Sequence, residues 1–255
     1  MFKKKKILCY VLVFDQVDIV KKCLTFLTKY SDRLDIIVLE NPSANTPVIK
    51  KFVEGLGEKG LIKRYYLFDE NITSIAMVTV LDKEQDLIKK SAYTIISDGD
   101  LVSSDTNWLD EEVGILKNNP EVLACGISLD MSNLPLKTYP EASGWIPPDI
   151  SETPDYYEAV TGGHLLMLRG RDFSDYMDWK NSSGSDHIDS IMHKYCYETL
   201  HKKWARTKKS TAYHLTWDLY ADKNHPYTKF RSKKTFKETW HHTKTATYTL
   251  TDYSA

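Results

Sequence analysis

The sequence lacks an excess of charge of either sign: 34 Lys and Arg stand against 35 Asp and Glu, a formal net charge of −1. That balance gives no global electrostatic case for nucleic acid as a partner. Cysteine is scarce as well. The four residues Cys9, Cys23, Cys125 and Cys196 include no C-x-x-C pair, which argues against a zinc knuckle and fits a reducing, cytoplasmic setting. Cys9 falls in an apolar run and Cys23 on an apolar helix face, so both read as small core residues. No stretch approaches the ~20 apolar residues of a membrane-spanning helix. The run Ile7 to Phe14 after Lys3 to Lys6 imitates a signal peptide, yet it stops at Asp15 with no small-x-small site before Asp18. A buried first strand explains it better. The Lys run reads as a solvated tail or as a peripheral contact with the inner face of a membrane. Glycine-rich phosphate loops are missing too. The turn after that strand is Asp15-Gln16-Val17-Asp18, which disfavours P-loop, dinucleotide and nucleotidyltransferase readings. His187, His193 and His201 form no H-E-x-x-H, so a zinc-protease site is excluded.

What is present is alternation. Ile7 to Phe14 is a continuous apolar run, as in a strand covered on both faces. Val17, Val20, Leu24 and Leu27 then recur at helical spacing. Leu34 to Leu39 reads as a second strand, followed by a helix through Val48, Phe52 and Val53. Ile62 to Phe68 reads as a third strand, Ser74 to Lys90 as a helix and Tyr93 to Ile96 as a fourth strand. Strand alternating with helix predicts an α/β fold, Rossmann-like, with a mostly parallel central sheet and helices on both faces. Val122 to Leu129 continues it. Five prolines between Pro135 and Pro154 mark an irregular segment of the kind that binds substrate. Ala159 to Leu168 reads as strand around Gly162-Gly163, where backbone can approach a ligand. Ile188 to Leu200 reads as a helix and Thr211 to Leu215 as a short strand. Residues 1–217 form the expected main domain. Residues 218–255 form a small C-terminal extension, read either as a lid over the donor site or as a solvated tail.

In a parallel α/β sheet, ligands bind beyond the carboxyl ends of the strands. Glu40-Asn41 after strand two and Asp98-Gly99-Asp100 after strand four therefore should face one crevice. Two carboxylates flanking a glycine at a strand end suit a hard cation, which neutralises a diphosphate; a plain acidic turn is the bland account. The glycine lets the turn fold tightly.

In this order the motifs resemble those of the family 2 glycosyltransferases, which have the GT-A fold. Ile7 to Asp15 resembles the opening strand, with Phe14 beside the nucleoside. Leu39-Glu40-Asn41-Pro42-Ser43 resembles the D-N-x-S turn, with Glu40 in place of the acid that contacts base or ribose. Asp98-Gly99-Asp100 corresponds to D-x-D. Thr161-Gly162-Gly163-His164 resembles the T-G-G strand that borders donor sugar and acceptor. Gly184-Ser185-Asp186 resembles G-E-D, with Ser185 in place of Glu, and Tyr213 to Trp217 resembles the late strand with a metal-ligating His. The resemblance spans roughly residues 6 to 217. It implies an inverting transferase that uses Mn2+ or Mg2+ and a nucleotide diphosphate sugar, UDP-sugar favoured, with a glycan or glycolipid acceptor. Asp98, Asp100 and His214 are the implied metal ligands. Phe14, Glu40, Asp98, Gly162 and Gly163 are implied to line the donor site, with Arg231 folding over the diphosphate. A carboxylate must take the proton of the acceptor hydroxyl, and Asp186 is assigned, with Asp189 as the alternate. An N-cap is the other reading of Asp186.

Overall fold

The computed structural model describes residues 6–184, 188–189, 191–232 and 247–254. In chain order the strands are β1 (Ile7–Phe14), β2 (Leu34–Asn41), β3 (Arg64–Phe68), β4 (Tyr93–Asp98), β5 (Leu101–Val102), β6 (Val122–Leu129), β7 (Ser151–Glu152), β8 (Tyr156–Glu158), β9 (Leu166–Arg169), β10 (Lys203–His214) and β11 (Tyr248–Asp252). The helices are α1 (Val17–Thr28), α2 (Thr46–Glu58), α3 (Ile75–Lys83), α4 (Gln85–Lys90), α5 (Trp108–Asn118), α6 (Gly170–Ser183), α7 (Met192–Lys194), α8 (Leu215–Tyr220) and α9 (Pro226–Ser232). One sheet orders the strands β11-β3-β2-β1-β4-β9-β6-β10-β8-β7, with β5 paired to β10.

β1 shows why the sheet is covered twice. Its side chains alternate with period two: Ile7, Cys9, Val11 and Val13 pack with α1, α2 and α5. Leu8 and Tyr10 pack on the other face with α3, α4 and α6. A strand buried on both faces has to be apolar throughout, and Ile7 to Phe14 is. The strands β3, β2, β1 and β4 are parallel. Beyond them β9 runs antiparallel to both β4 and β6, and β6 is parallel to β10. The sheet is therefore mixed, with its parallel stretch in the first half of the chain. β1 lies between β2 and β4, so the chain reverses its direction of travel there, and the carboxyl ends flank a crevice.

Several expected elements differ. The strand expected over Ala159 to Leu168 is broken: β8 ends at Glu158 and β9 starts at Leu166, with Leu165 at φ 48° between them. Left-handed backbone at a branched residue is strained, and it ends the strand in spite of the apolar pattern. The helix expected over Ile188 to Leu200 is reduced to α7 and a π turn at Tyr195–Thr199. The strand expected at Thr211 to Leu215 extends back to Lys203. In the C-terminal extension, α8 and α9 reach the crevice, while β11 pairs antiparallel with β3 at the edge of the sheet. Among the described residues, no helix is long and apolar enough to cross a membrane.

Candidate active site

Three strand ends define the floor of the crevice. Phe14 pairs with Asn41 across β1 and β2, and Leu12 pairs with Asp98 across β1 and β4. Gly99 follows at a point where a Cβ would lie 2.7 Å from the Leu12 carbonyl oxygen. No side chain fits there without moving backbone, so glycine lets the acidic turn lie against β1. Leu101 of β5 then pairs with His214 of β10, and the Leu215 amide donates to the Asp100 carbonyl at 2.8 Å. This two-residue strand brings Asp100 and His214 together from opposite ends of the chain.

Their side chains share one partner. The Thr216 hydroxyl donates to Asp100 Oδ2 at 2.6 Å and lies 3.0 Å from His214 Nδ1. A hydroxyl has a single proton. With that proton given to Asp100, His214 must be the donor to Thr216, so neutral His214 carries its proton on Nδ1 and keeps its lone pair on Nε2. Outer hydrogen bonds of this kind fix the tautomer of a metal-ligating His. The imidazole also stacks on Trp217, with ring centres 4.7 Å apart. Asp100 Oδ1 is buried without a hydrogen-bond partner, a costly state unless something else satisfies it.

Asp98, Asp100, His214 and Asp189 all line a cavity of about 1030 Å³, at the upper end of the ~300–1,000 Å³ usual for small-molecule sites. Phe14 and Gly163 line it too. Phe14 lies 5.6 Å, centre to centre, from the ring of Phe230 on α9. Gly162 opens instead on a smaller neighbouring cavity. The Gly163 amide donates to Asp189 Oδ2 at 3.2 Å, which ties the alternate base to the glycine turn. His164 is pushed down to about 4, first by burial and then by the His214 imidazole, with Asp100 and Asp189 opposing. Asp186 and Ser185 lie outside the described residues, as does the side chain of Arg231 on α9.

The structure sets Glu40 apart from the other expected donor-site residues. It is fully buried and does not line the crevice. It shares a sheet face with Val38 and accepts a hydrogen bond from the Tyr65 hydroxyl. Burial raises its pKa against the opposing hydrogen bonds of Tyr65 and Thr46 and the charge of Lys50. Strand alternation sends the next residue the other way, and Asn41 lines the crevice. Asn41 holds the loop between β3 and α3 by donating to the Thr73 carbonyl at 2.9 Å and accepting from the Ile72 amide at 3.1 Å. Thr73 stands at φ 56°, with its hydroxyl buried and unpartnered. An asparagine in a strand-end turn is a weak signal, and the role of Asn41 was hidden by the acid beside it. Thr216 had a signal only in its position two residues after His214. The proline-rich segment does reach the site, through Tyr139, Glu141, Trp145 and Ile146.

The residue types suit a divalent cation: two carboxylates, an imidazole of fixed tautomer and an orphaned buried oxygen. Among the described residues, no three His, Cys, Asp or Glu side chains are grouped as a complete metal site.

No family model matches the chain. Three uncharacterized proteins of Acanthamoeba polyphaga mimivirus are similar in sequence. One is 47% identical over 89% of this chain and 32% of its own length, the second 46% over 91% and 48%, the third 40% over 99% and 29%. The chain thus spans a third to a half of the length of these curated relatives. In three dimensions it is similar to the mannosyltransferase PcManGT from Pyrobaculum calidifontis in complex with GDP-Man and Mn2+. The TM-score is 0.54 at 13% identity, covering 94% of this chain and 69% of that one. It is also similar to GalNAc-T7 with UDP, GalNAc and Mn2+, at a TM-score of 0.55 and 10% identity over 82% of this chain and 44% of that one. With its mixed central sheet and flanking helices, the chain has the GT-A glycosyltransferase fold.

Proposed function

We propose that the chain is a divalent-metal-dependent, inverting glycosyltransferase of family 2 type, using a nucleotide diphosphate sugar, with UDP-sugars favoured over GDP-sugars. The acceptor is a hydroxyl of a glycan or glycolipid, in the cytoplasm or at the inner face of a membrane. The observation that carries this reading is the meeting of Asp98, Asp100, His214 and Asp189 on one cavity beyond the carboxyl ends of the parallel strands. Phe14 and Asn41 frame the nucleoside end. Asp98, Asp100 and His214 would hold Mn2+ or Mg2+, which would supply positive charge against the diphosphate.

The transfer itself breaks the bond from the anomeric carbon to the diphosphate and forms a bond from that carbon to the acceptor oxygen. The acceptor proton goes to a carboxylate, and the nucleoside diphosphate leaves with the electron pair. The carboxylate that takes the proton is Asp186 or its alternate Asp189; the hydrogen bond from the Gly163 amide, which ties Asp189 to the cavity wall, supports Asp189. The test is turnover with a panel of UDP- and GDP-sugars and Mn2+. Asp189→Asn is expected to lower kcat by roughly 10²- to 10⁴-fold with nearly unchanged donor affinity. Full turnover in Asp189→Asn alongside a dead Asp186→Asn moves the base to Asp186. Full turnover in both sinks the inverting mechanism.

A further inference from the structure

Beside the main cavity lies a second, of about 240 Å³, with walls that include Leu129, Val160, His193 and Arg206. Trp145, Ile146, His164 and Asp189 line both cavities. The two spaces therefore adjoin along these four residues, Asp189 among them. We propose that the second cavity is the acceptor subsite and that it takes one uncharged pyranose ring, the terminal sugar of the acceptor. This rests on the glycosyl-transfer reading above.

The walls match a sugar ring rather than a lipid chain or an ionic group. A pyranose has a C–H face and a rim of hydroxyls. Leu129, Val160, Pro147 and the half-exposed indole of Trp145 supply apolar surface, and aromatic rings combine such a face with a polar edge. His193 and Asp189 supply polar partners on the same walls. Arg206 Nε is buried without a hydrogen-bond partner, a donor that a ring hydroxyl would satisfy. The charge of Arg206 is already engaged. Its guanidinium is 2.8 Å from Asp149 and lies over the Tyr157 ring at 5.0 Å. With that cation neutralised and the Asp189 carboxylate at the seam, no lysine and no second arginine among the described lining residues is left to select an anionic sugar. The volume is less than a quarter of the main cavity, room for a single ring and not for a second nucleotide. A hydroxyl of that ring facing the seam would meet Asp189 on one side and the donor cavity on the other.

The test is saturation-transfer NMR on the full chain with neutral methyl pyranosides (gluco, galacto, manno and N-acetylglucosamine forms), and with methyl glucuronide as the anionic arm. At least one neutral ring is expected to bind, with the strongest transfer at its C–H face. Val160→Trp, which fills the cavity, is expected to abolish the signal. His193→Ala, at a half-exposed position that tolerates truncation, is expected to weaken binding by up to about tenfold, the loss of one hydrogen bond. An unchanged signal in both variants overturns the subsite, as does a wild type that binds none of the neutral rings or prefers the glucuronide. Binding of UDP or GDP with Mn2+, measured in parallel, reports on the transferase reading separately. Pyranoside binding without nucleotide binding would keep a pyranose site in this cavity but sink the transferase, and with it the acceptor role.

Discussion

Thr216→Val separates a positioned metal site from a coincidence of acids. Valine keeps the volume and branching of threonine and removes only the hydroxyl, which is buried and gives its one proton to Asp100 Oδ2 at 2.6 Å. Two interactions are lost at once: the charge-assisted bond to the carboxylate and the acceptor for His214 Nδ1 at 3.0 Å. The imidazole then has Asp100 Oδ2, at 3.5 Å, as its nearest alternative, and it is free to change tautomer. Loss of an outer hydrogen bond to a ligating His or carboxylate costs roughly 10- to 100-fold in metal affinity, about 1.4–2.7 kcal/mol. We expect that loss in Mn2+ titrations followed by electron paramagnetic resonance of the free ion, in the presence of UDP, with the circular dichroism spectrum unchanged. Thr216→Ser keeps the hydroxyl and is expected to recover most of the affinity. Wild-type affinity in Thr216→Val, or an equal loss in Thr216→Ser, would refute the reasoning.

Other expectations follow from single residues. Asp100→Ala removes a carboxylate whose Oδ1 is buried and unpartnered, and should abolish Mn2+-dependent nucleotide binding in calorimetry; full binding rules out the D-x-D assignment. Glu40→Gln should leave donor affinity within about twofold, whereas Asn41→Ala, which frees the Ile72–Thr73 loop, should weaken it by about tenfold, the worth of one to two hydrogen bonds. The reverse ranking would return Glu40 to the nucleoside. Glu112 is fully buried with both oxygens unpartnered, and burial, reinforced by the charge of Glu111, raises its pKa well above the usual carboxylate range. Its contribution to stability is whole below the unfolded pKa of about 4.3 and is lost as pH rises towards the folded pKa, by up to ~1.4 kcal/mol per unit; Glu112→Met should flatten that slope in urea unfolding at pH 5 and 8, and equal slopes would contradict it.

The first half of the fold was legible because its strands are buried on both faces. β1 and β6 have the predicted bounds, since a continuous apolar run broken by Asp15 or Asp130 admits little else. The second half was not, because the periodic signal there is local while the structure is set by long-range pairing. Trp204 and Ala205 stand between the cations Lys203 and Arg206, too short an apolar pair to mark a strand, yet β10 is held there between β6 and β8. The apolar pattern of Ala159 to Leu168 conceals the left-handed turn at Leu165 that brings Gly162 and Gly163 to the cavities. At the site, a strand period of two decided between Glu40 and Asn41, and motif order alone could not supply it. The D-x-D turn and His214 were legible as positions, but their meeting depends on β5, two residues long and without any sequence signature.

Unpaired buried polar atoms show where the fold keeps room for a ligand. Leaving such an atom unsatisfied costs about 1–3 kcal/mol, so each one needs a reason. Asp100 Oδ1, the Thr73 hydroxyl and Arg206 Nε are three of them, and each belongs to a residue lining one of the two cavities. A metal ion, a nucleoside and a sugar hydroxyl are the respective groups that would satisfy them. Glu112 lines neither cavity and has no such partner in prospect. It is the residue whose protonation removes the charge instead. At these three atoms a bound ligand would meet that cost, whereas at Glu112 the raised pKa lowers it. If that division is right, nucleotide and Mn2+ should stabilise the fold by more than they do in Asp100→Ala, because the ligands satisfy atoms that the folded chain alone leaves unpaired.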